Sequence, residues 1–185
     1  MTQPAATDRE LMERVKGRDD NAFEELVNRY KNKLFSLVCR LINNRDEAED
    51  ILQETFLRVY RERERYDPYF CFSTWVYTIA LNLTKNYLKR RSTFKFLELS
   101  LIQDDKRYSS ESDASDSGLK TLLEDAIAKL PTKYRSSLVM RDVNQLAYEE
   151  MAQILKVPLG TIKSRVNRAR NILRKRLKNK IGEIS

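Results

Sequence analysis

Apolar residues recur at helical spacing along nearly the whole chain. Phe23, Leu26, Val27, Tyr30, Leu34, Val38 and Leu41 follow one another at steps of three, one, three, four, four and three residues, the signature of one buried helix face. Before this stripe, Thr7 and Glu10 have capping-box spacing and open a short helix that stops at Gly17. Asn43 and Asn44 end the long helix. Asp46 and Glu49 read D-x-x-E and start a third, running to about residue 65, with Ala48, Leu52, Phe56 and Val59 as its buried stripe. Tyr66-Asp67-Pro68 breaks the chain, because proline disfavours helix at the residue before it. Ser73 is placed to cap a fourth helix over 73–91, where Trp75, Ile79, Leu83 and Tyr87 share a face with Val76 and Ala80.

The periodicity lapses over 92–118. Phe94, Phe96, Leu99 and Leu101 hold no helical stripe, and the run DDKRYSSESDASDSG that follows is polar, acidic and serine-rich. This stretch reads as a flexible linker. Helical spacing resumes at Leu119 and continues, with breaks at Pro131 and Pro158, to about residue 180. The expected fold is all-α: an N-terminal helical bundle over 1–91, the linker over 92–118, and a second small helical domain over 119–185.

Composition then removes whole classes of function. The chain has no histidine and only two cysteines, Cys39 and Cys71, which read as packing thiols. That leaves no credible zinc site, and neither a glycine-rich phosphate loop nor a nucleophile elbow is present, so no enzyme, metal or cofactor is expected. No apolar run approaches the ~20 residues a membrane span needs. The first ten residues hold no signal core, which points to a cytoplasmic protein without direct membrane insertion.

Charge sharpens the picture. The overall +8 divides into +2 over 1–91, −3 over 92–118 and +9 over 119–185. A basic C-terminal body seeks polyanions. Within it, AYEEMAQIL, KVP and LGTIKSRVNRARNILRKRL have the layout of a helix-turn-helix. Ala152 is small where the two helices approach, and Pro158 or Leu159 opens the second. Phased at 100° per residue, Ile162, Val166, Ala169, Leu173 and Leu177 share the buried face. Ser164, Asn167, Arg168, Asn171 and Lys175 lie opposite, flanked by Lys163, Arg165, Arg170 and Arg174. Ten basic residues and no acidic one between Lys156 and Lys180 point to nucleic acid. A membrane surface fits less well, because the exposed face lacks apolar residues to enter lipid.

The stretch from LPTKYR through the helix-turn-helix closely resembles the last conserved region of the extracytoplasmic-function sigma factors of bacterial RNA polymerase. It departs from that pattern at Lys156, where the family often has glycine, and at Asn167, where some members carry an aromatic. The resemblance implies that this domain reads the −35 element through Thr161, Lys163, Ser164, Arg165, Asn167 and Arg168. The string DEAEDILQETFLRVYR resembles the sigma-family helix that grips the polymerase, which implies core binding at the β′ clamp through Asp50, Gln53, Glu54 and Leu57. By the same resemblance the β flap is a second core contact. RYDPYFCFSTWVYTIALNLTKNYLKRR resembles the segment that opens the promoter. It implies that Tyr69, Phe70, Phe72, Asn82, Lys85 and Lys89 hold the melted −10 strand, aromatics stacking on unpaired bases and Asn82 pairing with a flipped one. The paired tryptophans of housekeeping members are replaced by Thr78 and Ile79. Many members of the family are restrained by an anti-sigma factor, and the resemblance implies such a partner.

As a flexible tether the linker spans at most ~95 Å over its 27 residues, enough to bridge two DNA turns of ~70 Å only when stretched. Its acidity fits the family's path through a positively charged RNA channel. Two rival classes stay open on residues alone. One is a stand-alone helix-turn-helix regulator with a helical sensor domain; the other is a basic protein of RNA or membrane surfaces. The aromatic-plus-cation segment at 66–91 and the clamp-like helix favour neither.

Overall fold

The structure, a computed structural model, describes residues 6–99 and 117–182. The described residues are α-helical apart from short turns, and no strand occurs among them. The first four helices are α1 (Asp8–Lys16), α2 (Asp20–Ile42), α3 (Arg45–Arg61) and α4 (Phe72–Leu99). A short 3₁₀ turn, Arg63–Arg65, follows α3. The second group is α5 (Ser117–Ala128), α6 (Thr132–Leu138), α7 (Tyr148–Leu155) and α8 (Leu159–Gly182). A π-helical turn, Val139–Val143, extends α6.

Local chemistry fixes most of these ends. The Thr7 hydroxyl accepts from the Glu10 amide at 3.3 Å while the Glu10 carboxylate accepts from the Thr7 amide at 2.7 Å, completing the expected capping box. Asp19 caps α2 by accepting from the Ala22 amide, and Asn43 closes it in the left-handed conformation with φ 53°. The α3 cap falls two residues earlier than the D-x-x-E reading predicts. Asn44 is the capping residue, because its side-chain oxygen accepts from the Glu47 amide at 3.2 Å.

Three further expectations are corrected. Ser73 does not cap α4: the helix begins at Phe72, and the Ser73 hydroxyl donates instead to Glu150 at 2.7 Å. The backbone of α4 continues to Leu99, past the expected end at 91, and α5 begins at Ser117, so both ends of the predicted 92–118 linker are helical. Residues 100–116, which hold most of the predicted acidic linker, lie outside the described residues. Cys71 is exposed, so only the half-buried Cys39 fits the reading of a packing thiol.

The core of the first domain is built from the predicted stripes of α2 and α3, widened by Leu37, Ile51 and Thr55. On α4 the most buried line is Phe72, Val76, Tyr77, Ala80 and Thr84, with Trp75, Ile79, Leu83 and Tyr87 half-buried beside it. The shift arises because α4 is covered from two sides: α2 and α3 pack on one flank and α7 on another. In the second domain α8 buries Ile162, Val166, Ala169 and Leu173 against α5, α6 and α7, as its phasing predicts.

The helix-turn-helix turn rests on one unusual residue. Lys156 ends α7 with φ 52°, and its amide donates back to Gln153 while that of Val157 donates to Ala152. A left-handed conformation costs a non-glycine residue about 1–2 kcal/mol, and glycine loses roughly half to all of that advantage through its greater freedom in the unfolded chain. Lys156→Gly is therefore expected to raise the stability of the domain by up to ~1 kcal/mol. Thermal denaturation of the two proteins checks this, and a lower melting temperature for the variant contradicts it.

Candidate nucleic-acid interface

Two surfaces carry the residues expected to meet DNA. The first is the loop between α3 and α4. Its backbone is tied down by its own side chains. Asp67 accepts from the Tyr69 amide at 2.9 Å through its carboxylate, and its carbonyl accepts from the Phe70 amide at 3.0 Å. The Tyr66 hydroxyl donates to the Phe70 carbonyl at 2.8 Å. Beneath the loop, the rings of Tyr66, Phe72, Trp75 and Tyr30 pack with centroids 5.2–6.1 Å apart. Burial pushes the Tyr66 and Tyr30 hydroxyls up from the ordinary tyrosine range, and Tyr30 donates to Asp8.

This packing divides the aromatics by task. Tyr69 is 95% exposed and Phe70 56%, whereas Phe72 is 2% exposed and forms part of the core. The expectation that Phe72 stacks on a base is therefore corrected: its ring is already enclosed by Tyr30, Tyr66 and Trp75. Tyr77 is likewise fully buried, and burial pushes its hydroxyl up to about 12. Further along α4, Asn82, Lys85 and Lys89 are exposed. They line a cleft of about 860 Å³ whose opposite wall includes Lys133, Lys156 and Arg165.

The second surface is α8. Lys163, Ser164, Asn167 and Arg168 are exposed, while Thr161 and Arg165 are half-buried at its edge. The Ser164 hydroxyl donates to the Thr161 carbonyl at 2.9 Å, which holds it near the helix. Thr161, Ser164, Arg165 and Arg168 border a depression of about 370 Å³ together with Lys133 and Tyr134. Lys133 was not singled out in the sequence. Its signal lies in the LPTKYR run, whose lysine is brought beside the start of α8 by the packing of α6 on that helix. Arg170 is committed within the protein, since its guanidinium pairs with Asp142 at 3.0 Å.

The surface on α3 stands apart from both. Asp50, Gln53 and Leu57 are exposed and Glu54 is half-exposed, all on the side away from Ala48, Phe56 and Val59. Leu57 is 48% exposed, among charged neighbours. Arg58 donates to the Glu54 carboxylate at 2.8 Å and holds it below the usual carboxylate range. None of these four residues lines the cleft or the depression.

Comparison with known proteins agrees with this architecture. The Sigma-70 region 2 family matches residues 26–94, and the Sigma-70 region 4 family matches residues 120–173. The ECF RNA polymerase sigma factor SigW of Bacillus subtilis is 34% identical over 178 residues, covering 91% of this chain and 95% of that protein. The ECF RNA polymerase sigma-E factor of Haemophilus influenzae is 34% identical over 181 residues, covering 92% and 95%. Among solved structures, CnrH in complex with the cytosolic domain of CnrY has the same fold, with a TM-score of 0.71 at 23% identity over 93% of this chain and 97% of that one. RpoE of Bartonella quintana, in complex with the anti-sigma factor NepR, scores 0.66 at 24% identity over 84% and 96%.

The division of aromatics has a measurable consequence. Phe72→Ala removes an enclosed ring and is expected to cost about 3–5 kcal/mol of stability. Tyr69→Ala removes a ring already in solvent and is expected to stay within about 0.5 kcal/mol of the parent. Chemical denaturation of both variants checks the pair, and equal losses would contradict the assignment.

Proposed function

Because this chain belongs to the extracytoplasmic-function sigma factors of RNA polymerase, which direct the core enzyme to specific promoters and initiate transcription, we propose that its three exposed surfaces divide that task. The first domain, around residues 1–91, serves as the polymerase- and −10-binding unit, and 119–185 as the −35-binding unit. Asp50, Gln53, Glu54 and Leu57 meet the β′ clamp of the core, and the second domain meets the β flap. Tyr69 and Phe70 stack on bases of the melted −10 strand, while Asn82, Lys85 and Lys89 hold that strand along α4. Thr161, Lys163, Ser164, Arg165, Asn167 and Arg168 read the −35 element in the major groove.

The observation that carries this reading is the rotation of α8. Its apolar stripe is buried, which leaves Lys163, Ser164, Asn167 and Arg168 on the free face near the N-terminal end. That end is where a helix-turn-helix meets base edges. Arg168 suits guanine O6 and N7, and Asn167 suits adenine N6 and N7. Arg174 is exposed farther along the helix and is placed for phosphate, which positions without specifying. Arg170 contributes less than its charge suggests, because Asp142 already holds it.

The protein is proposed to act in the cytoplasm and to have an anti-sigma partner, as RpoE has in NepR. Among the described residues no helix is long and apolar enough to cross a membrane.

Gln53→Ala combined with Glu54→Arg is expected to abolish assembly with core polymerase while leaving helicity and melting nearly unchanged. Both side chains lie off the apolar stripe, and within the fold the change exchanges the i,i+4 ion pair with Arg58 for a like-charge pair, which costs under about 1 kcal/mol. Co-purification with core polymerase, alongside circular dichroism, checks it; normal assembly of the double variant would refute the proposed grip. For promoter choice, Arg168→Ala is expected to cost about 1–3 kcal/mol on the preferred −35 sequence and to relax selection at one or two positions. Arg174→Ala is expected to weaken all sequences alike and flatten the log–log salt slope by about one unit. Selection of holoenzyme on a randomised −35 element separates the two, and an altered motif with Arg174→Ala would mean that the helix is rotated differently on DNA.

A further inference from the structure

One flank of α8 carries a row of side chains that the proposed DNA contacts leave incomplete. Lys163, Asn167, Arg170 and Arg174 follow at steps of four, three and four residues, so they share one exposed stripe. Three of them are proposed to meet DNA. Arg170 stands between Asn167 and Arg174 and is held elsewhere. Its Nε donates to one carboxylate oxygen of Asp142 at 3.0 Å and its Nη2 to the other at 2.5 Å, a two-point pair. Among the described residues no other basic side chain of α8 pairs with an acid.

The π-helical turn Val139–Val143 carries Asp142 to this position. The Asn144 amide closes the turn on the Val139 carbonyl at 2.9 Å. Arg141 braces it, donating to the Leu146 carbonyl at 2.8 Å with its guanidinium 4.6 Å from the centre of the Tyr148 ring. Arg141, Asp142, Gln145 and Arg170 together line a depression of about 540 Å³ beside the helix. The neighbouring contact is of another kind: the buried Asn144 side chain donates to the Lys33 carbonyl and the Tyr77 hydroxyl of the first domain at 3.0 Å each. The Asp142–Arg170 pair needs nothing from that domain, since both residues belong to the second.

We propose that Asp142 is an internal counter-ion that withholds Arg170 from the DNA phosphates and so limits how strongly the second domain grips a duplex. The proposal rests on the −35 reading of α8. The pair is partly exposed, with side chains 33% and 44% accessible, so it adds little to stability. Its effect lies in the charge presented to DNA. Paired, Arg170 offers no free cation, and the carboxylate lies beside the path of the backbone that Lys163 and Arg174 flank. Turning Arg170 toward a phosphate breaks two charge-assisted bonds and leaves that carboxylate facing the phosphates unneutralised. Without Asp142 the whole row engages the duplex, and the added contact is to phosphate, which holds every sequence alike.

The test is binding of holoenzyme, over a range of salt, to a duplex holding a −35 element and to the same duplex scrambled there. Asp142→Asn keeps the size of the side chain and removes its charge. It should tighten both duplexes by about fivefold to tenfold at ~0.1 M salt and steepen the log–log salt slope by about 0.9, with unchanged circular dichroism. Arg170→Gln should remove that gain in the Asp142→Asn background, yet shift the slope by much less than 0.9 in the parent, a coupling that two independent charges do not produce. Binding by Asp142→Asn equal to the parent, or a gain that survives Arg170→Gln, would overturn the counter-ion. Should Asp142→Asn fail to fold, Arg170→Gln in the parent decides: a slope flattened as much as by Arg174→Ala overturns the proposal, and a slope near the parent's supports it. Arg174→Ala also separates the two readings. If it flattens the slope while Asp142→Asn changes nothing, the counter-ion alone fails; if neither changes the slope, the −35 reading of α8 fails with it.

Discussion

The loop and the helix edge proposed to meet the −10 strand hang from α4, and α4 is held by being buried on more than one side. Phe72 and Val76 lock its beginning into the first domain, Tyr77, Ala80 and Thr84 continue the buried line, and α7 covers another flank. Because the ring cluster of Tyr30, Tyr66, Phe72 and Trp75 sits at the foot of the helix, the preceding loop is forced outward with Tyr69 and Phe70 at its tip. The remaining exposed positions of α4 then form a cationic and amide edge. The core thus decides by exclusion which side chains of the loop and of α4 are left exposed.

Much of this was legible in the sequence, for a plain reason. A helix with a clear apolar stripe has only one way to lie on a core, so the phasing of α8 assigns its outer face without reference to neighbours. Ile162, Val166 and Ala169 lie inside and Lys163, Asn167 and Arg168 outside, as periodicity requires. The opposite sides of α3 separate in the same way. The Thr7–Glu10 box was legible because both of its bonds are local.

What escaped was what depends on two sides at once. On α4 the stripe read from the sequence was displaced because a second domain covers residues that a single core would leave half-open. Ser73 looked like a cap, but a carboxylate 77 residues away offered its hydroxyl a better-placed acceptor. Phe72 looked like its aromatic neighbours Tyr69 and Phe70, since composition cannot distinguish a ring that fills a core from one that stands in solvent. Asn144 gave no signal at all. Its importance lies entirely in a carbonyl and a hydroxyl contributed from residues 111 and 67 positions away.

The Asp67 turn has a consequence beyond placing two rings. Its amides are already satisfied by Asp67, and Tyr66 secures the Phe70 carbonyl, so the loop carries little conformational freedom to lose when a base arrives. A flexible loop would share the entropic cost of ordering with its ligand and blur the difference between one nucleotide step and another. A loop ordered in advance leaves that cost with the nucleic acid. On the proposed reading, discrimination at this point follows the ease with which each DNA step unstacks, so the duplex itself supplies part of the specificity.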